Sequence, residues 1–468
     1  MPKYNKKTPG VYVDEISTIP PSVSEVSTAI PAFFGYTQEA PDRGGSDPVV
    51  RRIESMLDYE GLFGQPYAAK FTVQCSADGK VSSVARNADD PEFLLYYAVS
   101  HYFRNGGGPC YIVSVGGYAA NPTSSTNADA FTKAIERLAQ EDEPTLLVLT
   151  DAVSLPADNY YSVCAAALAH CSTLQDRFAI LDVKRSGPGS DAAKSDVAAF
   201  RDKLASEPSK RRYGAAYHPY LDTLLTYHAS DSSVTVNRDA PASSTAAVAP
   251  ATLGSLSTAS PLLYNQVRSA LASQRVVLPP SAAMAGSYCR VDRDRGVWKA
   301  PANVPVADIA GPALKITDVD QASLNDDPVS CMPINAIRFF TGKGTLVWGA
   351  RTLDGASSEW RYVPVRRLFN MIEESARKAT AFAVFEPNDM TTWLKVKGML
   401  ESFLYGLWER GALAGPTPAA AYYVQVGLGK TMTRDDVLAG YLIIDVGVAA
   451  VRPAEFIVFR FSHKMQEA

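Results

Sequence analysis

Apolar and polar positions change period several times along the chain, and each change marks an element. The first forty residues show no helical period. Thr8-Pro-Gly-Val-Tyr-Val-Asp-Glu-Ile is a β-prone run opened by a Pro-Gly turn signal, and Pro20-Pro21 keeps the chain extended. A second apolar run follows, Ile30-Pro-Ala-Phe-Phe-Gly-Tyr-Thr. From about Glu92 helices and strands alternate. Residues 93–103 form a helix with a broad apolar face, stopped by Asn105-Gly-Gly-Gly-Pro. Strand 111–115 comes next. Helical 131–140 then leads to strand 145–150, helix 159–173 to strand 177–183, and helix 194–205 to strand 213–217. Alternation of this length predicts a mostly parallel α/β sheet.

Residues 229–260 change character, being rich in Ser, Ala, Thr and Pro with few large apolar positions. That composition predicts a long loop or a small β insertion at the surface. Trp, Arg and aromatic residues are densest from about 284 onward. This part contains helices at 364–380 and 390–410 and closes with strands 441–449 and 455–463. No repeat recurs at a fixed period.

Composition narrows the function classes. The 468 residues carry 45 basic and 49 acidic side chains, a formal net charge of −4. That length predicts two to four domains at roughly 100–200 residues each, with a core that needs no disulfide or metal staple. No apolar run approaches the ~20 residues that cross a bilayer. The basic start, Met1-Pro-Lys-Tyr-Asn-Lys-Lys, runs into Thr-Pro-Gly, so neither an export signal nor membrane insertion is expected. Near-balanced charge argues against a nucleic-acid partner. Six Cys and five His leave little material for a metal centre, and the thiols are expected to stay reduced.

The motifs that resemble active sites all have simpler readings. Cys164, His170 and Cys171 lie in an Ala-rich helical pattern, where small buried thiols pack as apolar groups. Gly427-Leu-Gly-Lys-Thr resembles the end of a phosphate-binding loop, which would use Lys430 and Thr431. The leading Gly of that pattern is replaced by Val424, however, and no helix follows directly. An α/β nucleotide-binding enzyme is therefore the alternative reading. Gly106–Gly108 follows a helix and precedes a strand, the reverse of a phosphate loop. Gly342-Lys-Gly344 reads as a hairpin turn. The alternating charges of Arg290-Val-Asp-Arg-Asp-Arg-Gly-Val-Trp-Lys read as an ion-pair network fixing a loop or interface. Glu373 and Glu374 are helix neighbours that point apart. No cofactor or catalytic residue is expected.

Several blocks carry a resemblance. They are Thr8-Pro-Gly-Val-Tyr-Val-Asp-Glu-Ile, Phe103-Arg-Asn-Gly-Gly-Gly, Pro279-Pro-Ser-Ala-Ala-Met-Ala-Gly and Asp294-Arg-Gly-Val-Trp-Lys-Ala-Pro-Ala-Asn. Further along come Trp360-Arg-Tyr-Val-Pro-Val-Arg-Arg-Leu, Val384-Phe-Glu-Pro-Asn-Asp and Val451-Arg-Pro-Ala-Glu-Phe-Ile-Val-Phe-Arg. In this order and combination the chain resembles the contractile tail sheath family of phage tails, R-type bacteriocins and phage-tail-like injection systems. The match is loose over about 120–275.

The resemblance implies a mixed α/β (α+β), multi-domain subunit with extended terminal arms and an outward insertion. Its parts would be an N-terminal arm at 1–28, a first core segment at 29–118 and an α/β middle domain at 119–283. A C-terminal inner domain at 284–450 and an arm strand at 451–468 would follow. The implied function is helical polymerisation around an inner tube, followed by contraction that drives the tube through an envelope. Implied partners are copies of itself, the tube protein, baseplate and terminator proteins, and paralogous sheath subunits. Assembly would occur in the bacterial cytoplasm, and the product would be a phage tail or a released particle.

Arm exchange between neighbours would use Val11, Tyr12 and Val13 at one end and Ile457, Phe459 and Phe461 at the other. These last three share one strand face, which suits β-augmentation. On helix 364–380, the apolar stripe Val365, Leu368, Phe369, Ile372 and Ala376 would leave Arg366, Arg367, Arg377 and Lys378 as a basic face for an acidic tube. Arg293, Asp294 and Arg295 are the expected inter-subunit ion pairs.

Overall fold

The computed structural model describes residues 23–41, 47–205, 208–239 and 249–456. The chain forms two compact units, a larger one built on Val26–Glu373 and a smaller one built on Glu374–Ala450.

A nine-stranded sheet runs through the larger unit. Its order is Val304–Pro305, Gly344–Val347, Asn335–Phe340, Gly214–His218, Phe178–Asp182, Leu146–Val148, Pro31–Thr37, Cys110–Gly117 and Val49–Ile53. The strands from Asn335–Phe340 to Cys110–Gly117 pair in parallel, and antiparallel strands close both edges. Parallel strands covered on both faces read as continuous apolar runs. Pro31–Thr37, Leu146–Val148, Phe178–Asp182 and Gly214–His218 are accordingly buried at every position. The second apolar run of the sequence is thus an interior strand of the sheet, third from the Val49–Ile53 edge.

Alternation along Pro31–Thr37 feeds two cores. Phe34 and Tyr36 pack with residues of helices Ala128–Leu138 and Ala157–Leu174, while Phe33 packs with those of Leu95–Arg104 and Ser281–Arg295. These last two helices approach closely at Gly286, where an added Cβ would lie 2.7 Å from the Tyr102 carbonyl. Cys164 and Cys171 are buried in the first of these cores, as small apolar groups would be.

Two buried carboxylates fasten the second helix pair. Asp151, just beyond Leu146–Val148, accepts from the amides of Tyr36 (2.7 Å), Leu94 (2.6 Å) and Leu95 (3.1 Å). Asp182, ending its strand, accepts from the amide (2.9 Å) and hydroxyl (2.6 Å) of Ser281. Each satisfies donors at a helix N-terminus that would otherwise be buried without partners. Burial pushes both carboxyls up to about 7.

The 229–260 stretch is a β insertion shared with an earlier segment. Val234–Arg238 pairs with Phe71–Cys75, flanked by Ala251–Thr252 and Val81–Arg86. Helices Leu253–Ala259 and Pro261–Leu271 contribute Leu256, Leu263 and Val267 to its core. The sequence pattern missed Val49–Ile53, Phe71–Cys75 and Val81–Arg86, because these strands border solvent and carry many polar positions.

The domain boundaries expected at 118/119 and 283/284 are corrected. The nine-stranded sheet draws strands from all three of those segments, and helix Ser281–Arg295 runs across 283/284. The division falls at 373/374 instead. In the smaller unit, helix Met390–Glu409 packs on a two-stranded antiparallel ladder, Tyr422–Val426 with Ile444–Val448. The helix starts where Asp389 accepts from the Thr392 amide at 2.9 Å.

Candidate functional site: the arm roots and the basic helix

Val11, Tyr12 and Val13, and likewise Ile457, Phe459 and Phe461, lie outside the described residues. What the structure describes is the point where each arm meets the larger unit. On the N-terminal side this is Thr28. Its hydroxyl donates to Asp292 Oδ2 at 2.5 Å, and its carbonyl accepts from Arg367 Nη2 at 2.9 Å. Arg367 also makes a fork to the Asp292 carboxylate at 3.0 and 2.5 Å, and its guanidinium sits 4.5 Å from the Tyr288 ring centroid. On the C-terminal side, Arg351 holds Glu455 through Nε (3.0 Å) and Nη2 (2.6 Å). Forked guanidinium–carboxylate pairs of this kind fix orientation as well as distance.

Helix Val363–Ala379 corrects the expected basic face. Arg366 and Arg367 are each only 3% exposed. Arg366 bonds Asn370 Oδ1 (2.7 Å) and Glu373 (2.9 Å), and stacks 4.3 Å from the Trp360 centroid. The helix is covered around most of its first three turns, so the positions flanking the apolar stripe also point into protein. Arg377 and Lys378 are exposed, and both pair with Glu374, at 2.6 and 3.1 Å. Arg293, Asp294 and Arg295 are exposed at the C-terminal end of Ser281–Arg295, with Arg293 and Asp294 3.2 Å apart. The buried member of that charge run is Asp292, which sequence reading did not single out. Its signal was the alternating charge of 290–295.

The 427–431 loop spends its donors internally. Amides of Lys430, Thr431 and Met432 all point to the Gly427 carbonyl, and the Gly429 amide donates to Met432. The Thr431 hydroxyl accepts from the Gly427 amide and donates to the Ile443 carbonyl at 2.7 Å. A phosphate cradle needs those donors turned outward. A cleft of about 990 Å³ opens at the carboxyl ends of the parallel strands, where α/β sheets often hold ligands. Its groups are mutually engaged: Arg86 with Asp90 and Glu92, Tyr67 with Asp90, and Lys184 with the Val153 carbonyl.

The ladder of the smaller unit has the form of an incomplete sheet. Val424 and Val426 are buried, Tyr423 and Gln425 are exposed, and among the described residues no third strand pairs with either side. Such edges accept added strands.

Comparison with known proteins decides the family. A chain in the anti-feeding prophage baseplate is 30% identical, with TM-score 0.64, covering 98% of this chain and 100% of that one. The anti-feeding prophage helical sheath in its contracted state is also 30% identical, with TM-score 0.65 and the same coverage. The chain belongs to the contractile sheath family. A chain of the PVC sheath complex, an extracellular contractile injection system solved in the contracted state, is 30% identical with TM-score 0.65, over 98% of each chain. The phage tail sheath C-terminal domain family matches residues 356–464. The tail sheath protein of Vibrio phage KVP40 is 26% identical over 136 residues, which is 29% of this chain and only 20% of that relative. The role of this sheath protein is structural, and its fold is the mixed α/β architecture of the family. Among the described residues no helix is long and apolar enough to cross a membrane.

Proposed function

We propose that the subunit polymerises as a helical array around an inner tube, and that rearrangement of the array drives the tube outward. The carrying observation is full-length similarity to a helical sheath solved in the contracted state. In this reading the arms at 1–28 and 451–468 complete the ladder of neighbouring copies, with Val11, Tyr12, Val13, Ile457, Phe459 and Phe461 as strand positions. Both arms leave from fixed roots, and among the described residues no third strand joins the ladder. Rigid-body rotation of subunits linked by such arms keeps neighbours connected while their faces repack.

Tube contact is assigned to Arg377 and Lys378, whose exposed charges suit a salt-sensitive, reversible grip. Exchange of inter-subunit ion pairs is assigned to Arg293, Asp294 and Arg295. Baseplate, terminator and paralogous sheath proteins complete the partners. Assembly takes place in the bacterial cytoplasm, as a phage tail or a particle that is later released.

Negative-stain microscopy of the overexpressed chain tests this. Long, striated, hollow tubes are expected from the full chain, and folded monomers from one lacking residues 1–20. Tubes formed without those residues would exclude arm exchange, and discrete rings from the full chain would point to a baseplate component.

A further inference from the structure

Residues 28–30 are bound to the larger unit through both backbone and side-chain groups. The Thr28 carbonyl accepts from Arg367 Nη2 and from the Thr145 hydroxyl, both at 2.9 Å, while the Thr28 hydroxyl donates to Asp292. The Ala29 carbonyl accepts from Cys289 Sγ at 3.2 Å. The Ile30 amide donates to the Thr145 hydroxyl at 2.9 Å, and its carbonyl accepts from the Thr145 amide at 2.8 Å. Three elements therefore converge on three residues: helix Ser281–Arg295, helix Val363–Ala379 and the start of Leu146–Val148. Immediately afterwards the chain enters Pro31–Thr37, which is hydrogen-bonded in parallel on both sides.

The ion pair at the centre of this cluster is 3% and 6% exposed. A buried pair is weak grounds for stability, because apolar residues of similar size often do as well. Apolar residues cannot, however, bind a carbonyl and a hydroxyl of the strand's leading residue in fixed directions. The strand's position matters too. Tension applied from the N-terminal side pulls a central strand along its own axis, so its two ladders resist together instead of opening bond by bond.

We infer that Arg367 and Asp292 form a mechanical latch on Thr28, which delivers tension on the N-terminal arm into an interior strand of the nine-stranded sheet. The inference rests on the reading that the arm is held by a neighbouring copy. Arg367 and Asp292 are positioning residues in this scheme and touch no partner. Without them, residues 28–30 peel away under tension while the resting fold persists.

Single-molecule pulling on the full, unassembled chain tests the latch, with handles near residue 5 and at Lys343, in the exposed 341–343 turn. Arg367→Met combined with Asp292→Leu removes both charges and leaves neither orphaned. The expected result is an unfolding rate under constant force raised about tenfold, with the thermal midpoint at rest nearly unchanged. Thr28→Val, which deletes only the hydroxyl bond, should raise that rate about threefold. If the double variant does not fold, Thr28→Val alone decides. Rates under force equal to the parent chain in the folded variants overturn the latch. The measurement is made without assembly, so arm exchange fails or stands separately, through the microscopy of the chain lacking residues 1–20.

Discussion

Asp151 shows how much of the fold hangs on single buried groups. Both of its oxygens are taken by backbone amides from two separate segments, Tyr36 on one oxygen and Leu94 and Leu95 on the other. Gly35 makes room for this, since an added Cβ there would lie 2.4 Å from Oδ2. Asparagine offers one acceptor and turns an N–H toward a donor. Asp151→Asn should therefore cost about 2 kcal/mol, read as a lower urea midpoint. Burial holds this carboxyl at about 7 in the folded chain, against an ordinary value of 3.8. A raised carboxyl binds its proton more tightly in the folded state. Its contribution to stability is complete below about pH 4 and is lost as pH climbs through about 7. Asparagine does not titrate, so the gap between parent and variant should be widest at about pH 4 and below, narrower at pH 6 and smallest at pH 8. A gap that widens with rising pH would contradict the assignment. None of this was legible in the sequence, where Asp151 is one acidic residue after an apolar strand.

At the scale of elements, helix Val363–Ala379 separates what periodicity can and cannot say. The apolar stripe correctly located the helix, within a residue of its observed ends. It also marked Val365, Leu368 and Ile372 as buried. It misassigned Arg366 and Arg367, because a hydrophobic period records which residues prefer burial and is silent about charges buried with partners. Arg366→Ala should cost about 2–3 kcal/mol, by leaving Asn370 Oδ1 without its donor and removing the stack on Trp360. Arg377→Ala and Lys378→Ala should each change stability by less than about 0.5 kcal/mol, since exposed pairs contribute little. If they grip the tube, the same two substitutions weaken co-sedimentation with tube protein, most visibly at low salt. Equal thermal midpoints for Arg366→Ala and Arg377→Ala would refute the buried placement. The short strands around the insertion were missed because of their length: Phe71–Cys75 alternates apolar with polar, but over only five residues.

For the whole molecule, what is fixed is the root of each arm, Thr28 on one side and Glu455 on the other. Glu455 is clamped by Arg351, a guanidinium only 11% exposed, so the root of the C-terminal arm belongs to the larger unit whatever the later residues do. Removing 457–468 should leave the thermal midpoint within a few degrees of the parent and abolish sheath formation in microscopy. A large drop in midpoint would mean that those residues serve their own subunit. Patterning along the chain was enough for the parallel α/β character, for the central strands and for helices such as Leu95–Arg104, Ala157–Leu174, Val363–Ala379 and Met390–Glu409, while Ser281–Arg295 went unread as a helix. Apolar residues at regular spacing enforce those wherever the chain folds, and ordered blocks across its length marked the family. Which charges are buried, which segments share a sheet and where the units divide came from the folded chain alone. Those outcomes depend on partners distant in sequence: Thr28 meets Asp292 and Arg367 across more than 260 positions, and no local pattern encodes that meeting.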